Sequence, residues 1–167
     1  MTDKTNFTKD EWALLLRAPM TAGMAITAAD PSGLWGLLKE SFAGSSELAQ
    51  AARDPNANPL VKAVVTDFIS GDGRAVARDG LKAEFANATK PGEMKDRAID
   101  TLRQVSSVLS TKAPDDAPAF KAWLRQISQK TAEAANEGGG LFGIGGVQVS
   151  DAEKATLNEI SSALGVA

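Results

Sequence analysis

PGEMKDRAIDTLRQVSSVLSTKAPDDAPAFKAWLRQISQKTAEAAN, residues 91–136, is the stretch on which the fold turns. From Glu93 to Lys112, the apolar residues Met94, Ala98, Leu102, Val105 and Leu109 recur at helical spacing along one stripe. Lys95, Asp96, Arg97, Asp100 and Arg103 lie mostly off that stripe. Pro114, Asp115 and Asp116 break and recap the chain. A second run, Ala117 to Asn136, carries its own stripe in Phe120, Trp123, Leu124 and Ile127. Two long amphipathic helices on a short connection imply antiparallel neighbours. The expected class is therefore all-α.

Helix signals continue outward in both directions. Toward the N-terminus, Thr8 with Glu11 makes a capping box, and Phe7 is placed to staple onto Trp12. Trp12, Leu15 and Leu16 share a face before Pro19, where a kink or a restart is expected because proline has no N–H. Met20 to Ala29 is a second, small-residue helical run. Asp30-Pro31 reads as cap and first position of a helix carrying Leu34, Trp35, Leu37, Leu38 and Phe42, closed at Gly44. Ser45 or Ser46 caps a short helix through Ala52. Asn58-Pro59 opens Leu60 to Ser70, closed by Gly71, Asp72 and Gly73. Arg74 to Ala88 reads as two short pieces meeting at Gly80. At the far end, Ser150 and Glu153 form another capping box for a helix with Leu157, Ile160 and Leu164 on its apolar face, ended by Gly165. The whole is expected to be one domain over residues 1–167, a bundle of about seven helices with residues 1–6 flexible.

Composition narrows the chemistry. The chain has no histidine and no cysteine, which removes the usual base near neutral pH, the commonest metal ligand, the thiolate nucleophile and any disulfide. No cofactor is implied, and an enzyme could work only with residues such as Asp, Glu, Lys or Ser. A net charge of −3 without clustered Lys or Arg argues against a nucleic-acid partner. The polar stretch Met1 to Asp10 does not read as a signal peptide. The most apolar stretch, Ala13 to Ala29, is interrupted by Arg17 and Pro19 and falls short of the ~20 apolar residues that span a bilayer. A cytoplasmic location follows as the expectation.

Residues 138–149, GGGLFGIGGVQV, form a glycine-rich apolar loop before the last helix. Gly138, Gly140 and Gly143 fit the dinucleotide fingerprint in spacing only, because a helix rather than a strand precedes them. The plain reading is a loop that folds back and seals one end of the bundle. Left outside, Leu141, Phe142 and Ile144 are the candidate contact for a protein partner, a second copy of the chain or, less favourably, a membrane surface. Neighbouring Glu137 and Asp151 oppose anionic lipid. Asp54, Asn56 and Asn58 occupy EF-hand positions, but Pro59 and Val65 stand where the glycine and the bidentate glutamate are required. Glu40, Asp67, Asp79 and Glu84 are further carboxylates near helix ends or loops, a hard-cation site only if the fold gathers them. Trp12, Trp35 and Trp123 fall on apolar faces of separate helices; core is the plainer reading, a ligand pocket between helices the alternative.

EWALLLRAP (Glu11 to Pro19), AADPSG (Ala28 to Gly33) and GGGLFGIGGVQVSDAEKATLNEI (Gly138 to Ile160) resemble a set of uncharacterised small bacterial all-helical proteins. That set is distantly similar to the TerB-like (tellurite-resistance) family. The resemblance implies a cytoplasmic helical fold, a link to stress response and, through an acidic turn, a divalent-cation site. Only Ala29 and Asp30 match that turn here, with Glu40 the nearest candidate partner; Pro31, Leu34 and Trp35 depart from it. Asp30 and Glu40 are ten residues apart, about three turns on one helix, so another segment would have to complete the site.

Overall fold

A computed structural model describes residues 2–29, 46–137 and 149–166. Among them are seven α-helices: α1 (Lys9–Ala29), α2 (Ser46–Arg53), α3 (Pro59–Ile69), α4 (Asp72–Phe85), α5 (Pro91–Lys112), α6 (Ala117–Glu137) and α7 (Asp151–Leu164). No strand occurs among the described residues, and the chain is an all-α bundle. The helix expected between Asp30 and Gly44 lies outside them. So does most of the glycine-rich stretch, of which only Val149 is described, as coil.

α1 is the hub. It packs most extensively on α5, then on α4 and α6, and also meets α3 and α7. The expected neighbours α5 and α6 do follow one another through the turn at Ala113–Asp116, yet each contacts α1 far more than it contacts the other. The sequence of α1 explains its place. Buried residues run from Trp12 through Ala28 on all but one stripe, where Ala13, Arg17, Met20 and Met24 are half-buried. A helix apolar over most of its circumference belongs inside. Its alanines and Gly23 let neighbours come close, while Leu15 and Leu16, exposed by no more than 1%, fill the space between them. Each such leucine contributes about 1.5–3 kcal/mol of burial.

Two sequence expectations need correction here. Pro19 does not restart the chain: α1 continues through it. The proline forfeits one backbone hydrogen bond, but its ring is buried among surrounding helices, and that packing holds the segment in register. α1 consequently has the length and composition of a membrane-crossing helix, contrary to the count made from the sequence. In the bundle, 72% of its apolar window is buried against protein. Gly80, likewise, does not divide the fourth helix, which runs unbroken from Asp72 to Phe85.

The helix ends follow local chemistry. Thr8 Oγ1 accepts from Glu11 N at 3.2 Å while Thr8 N donates to Glu11 Oε2 at 2.8 Å. Phe7 lies 5.7 Å from Trp12, ring centre to ring centre, completing the staple. Residues expected to be loose also have local order: Lys4–Asn6 form a 3₁₀ turn capped by Asp3. Ser150 and Glu153 make the second reciprocal box, and Gly165, at φ 70°, terminates α7 in the left-handed conformation. Gly71, with φ 96°, turns the chain between α3 and α4. At Gly73 an added Cβ would stand 2.3 Å from the Asp67 carbonyl oxygen, so this corner closes only with glycine.

Candidate functional site

The Asp54–Asn58 turn, read from sequence as half an EF-hand, is a cap. Asn58 Oδ1 accepts from Leu60 N at 3.0 Å and Val61 N at 3.3 Å, and its Nδ2 donates to Asp116 Oδ1 at 2.7 Å. Asp54 Oδ1 accepts from Asn56 N, and Lys62 Nζ reaches the Pro55 carbonyl. These bonds pin the α2–α3 turn to the start of α6. A groove of about 200 Å³ opens beside the turn, with Gln50 and Ala51 of α2 on one side and Ala119, Trp123 and Gln126 of α6 on the other.

Trp123 supplies the groove's aromatic wall. Its ring stands edge-on to Phe120 at 5.3 Å and is 8% exposed, and its indole N–H is buried without an acceptor. An unpaired buried donor costs about 1–3 kcal/mol, so this tryptophan carries a penalty that a wholly satisfied core residue avoids. The sequence reading placed Trp123 on a core stripe, and the structure keeps it in the core while its ring also lines the groove.

A second polar centre lies between α1, α4 and α5. Glu84 Oε2 accepts from Arg17 Nε at 3.1 Å and from Thr21 Oγ1 at 3.2 Å. The Thr101 hydroxyl of α5 also faces the carboxyl. Arg97 Nη1 donates to the Glu84 backbone oxygen at 3.0 Å. Gly80, one turn earlier on α4, leaves the room that Arg17 occupies: a Cβ there would lie 3.2 Å from Arg17 Cδ. Only 6% of the Glu84 side chain is exposed, and Oε1 is sealed from solvent with no partner. Desolvation pushes this carboxyl above its ordinary pKa, against the opposing pull of Thr101, Arg17 and Thr21. On its outer side Arg17 lines an open groove of about 370 Å³ with Asp10, Glu11 and Gln104.

The other carboxylates are dispersed. Asp67 accepts from Trp12 Nε1 and Lys4 Nζ, and Asp79 is exposed beside Arg78. Among the described residues, no three acidic side chains gather as metal ligands. Asp30 and Glu40 lie outside the described residues, as do Leu141, Phe142 and Ile144. Set against known protein families, curated proteins and solved structures, the chain finds no match in any of the three.

Proposed function

We propose that this chain is a non-enzymatic helical protein that works by protein–protein contact or self-association. The observation that carries the reading is the groove walled by Trp123. At about 200 Å³ it is smaller than the ~300–1,000 Å³ typical of cofactor and small-molecule sites, and it has room for one or two side chains of a partner. An aromatic wall rimmed by the amides of Gln50, Asn58 and Gln126 has the composition of a protein contact surface. Leu141, Phe142 and Ile144 belong to the proposal as a second apolar contact, on sequence grounds.

Ala119 and Gln126 are exposed on the rim, so arginine at both blocks the groove without touching the core. Sedimentation over a range of concentrations should show association of the native chain that A119R/Q126R weakens at least tenfold, with circular dichroism unchanged. A chain that stays monomeric, and whose crosslinked partners are the same with and without the double substitution, overturns the reading. Phe142→Ser with Ile144→Ser, measured in the same way, apportions any association between the two contacts.

A further inference from the structure

We propose that Glu84 is a proton-operated latch between α4 and the hub helix: with its carboxyl protonated, α4 docks on α1 more tightly than with the carboxyl ionised. The two charges of the pair sit in unequal surroundings. Arg17 is 21% exposed and borders an open groove, so water solvates its guanidinium whether or not Glu84 is charged. The carboxylate has no such alternative. One oxygen is shared between Arg17 and Thr21; the other is buried with nothing donating to it. An ionised carboxylate with a bare buried oxygen loses hydration that a single, partly hydrated cation does not restore.

Groups from the surrounding elements offset the imbalance only in part. α1 contributes one charge, Arg17, and one hydroxyl, Thr21. α5 contributes the Thr101 hydroxyl, while its cation, Arg97, is directed to the Glu84 backbone oxygen instead of the carboxyl. The charge acting on the carboxyl, among the described residues, is that of Arg17. Protonation removes the stranded charge, keeps Oε2 as an acceptor and leaves Arg17 facing its groove. α4 is suited to respond, because only Gly73 and Ala77 along it are buried and the Glu84 side chain, 6% exposed, lies within its contact with α1.

The linkage has a definite sign. A carboxyl raised above its unfolded value contributes stability that is complete below the unfolded pKa and disappears as pH rises through the folded one. Docking of α4 should therefore tighten as the solution moves from neutral to mildly acid, the window in which most surface carboxylates are still ionised. Amide exchange of the intact chain, corrected for intrinsic rates, should show protection in α4 rising several-fold across that window, with α7 as an internal control. Glu84→Gln should flatten the rise, and Arg17→Gln, which strips the one stabilising charge, should move its midpoint to higher pH. Direct ¹³C titration of the Glu84 carboxyl in the native protein needs no substitution to fold. A midpoint above that of the exposed glutamates supports the latch. A midpoint at or below theirs, or a Glu84→Gln profile parallel to the native one, overturns it.

Discussion

The indole N–H of Trp12 donates to Asp67 Oδ2 at 2.6 Å, joining the first turn of the hub helix to the last turn of α3 across 55 residues of sequence. The same oxygen accepts from Lys4 Nζ at 2.9 Å. One carboxylate thus fastens the chain's opening turn, α1 and α3 together. Desolvation works to raise its pKa, but hydrogen bonds from Lys4, Trp12 and Ser70 and the Lys4 charge outweigh it, and Asp67 is held below the ordinary value. Removing the indole donor by Trp12→Phe should cost about 1.5–3 kcal/mol at pH 7, the range for a hydrogen bond to a charged group, besides the loss from shortening a buried ring. Because the Asp67 pKa is lowered, that contribution exists above its unfolded value and fades as pH falls through the folded one. Urea denaturation of native and W12F chains at pH 7 and in progressively stronger acid should show the gap narrowing as Asp67 is protonated.

Gly71 and Gly73 sit in one corner but resist substitution for different reasons. Gly71→Ala meets nothing within 4 Å, but φ 96° with ψ −49° lies outside the regions open to L side chains and should cost about 1–3 kcal/mol in backbone strain. Gly73→Ala drives a methyl into the Asp67 carbonyl and should cost about 2–3 kcal/mol, or displace the start of α4. Melting the two single variants checks both losses; an unchanged melting temperature for Gly73→Ala would mean the corner yields freely.

Pro19→Ala should stabilise the protein. Proline inside a helix costs about 3 kcal/mol relative to alanine, and the lost ring gives back roughly two buried methylenes, near 1.6 kcal/mol. A net gain of about 1 kcal/mol in urea midpoint analysis is expected, with the slope unchanged.

Ser150→Ala should lower stability by about 1 kcal/mol, by opening the reciprocal bonds with Glu153, a residue only 2% exposed. The loss should be confined to α7, visible as faster amide exchange in its first turn.

What could be read from the chain follows the range of the interaction. The boxes at Thr8 and Ser150, the Phe7–Trp12 staple and the cap at Asn58 are contacts within a few residues, and each was legible. Pro19 and Gly80 misled because their signals are local while what decides them is tertiary: burial of the proline ring, and the room Gly80 leaves for Arg17. Arg17 read as an interruption of an apolar run, and Glu84 as one carboxylate among four. Nothing in the spacing of residues 67 apart announces that they meet. The groove at Trp123 was hidden for the same reason, since its walls come from α2, α3 and α6.

The hub position of α1 also has a consequence in time. This helix precedes all the others along the chain, yet its largest partners include α5 and α6, whose residues are made many tens of positions later. On a ribosome, its apolar surface emerges before any of the helices that cover it, and α5 and α6 come well after α4. Contacts so distant in sequence slow folding, and an uncovered apolar helix is a target for chaperones and for aggregation meanwhile. The helix that organises the finished bundle must wait for the rest of the chain to be made.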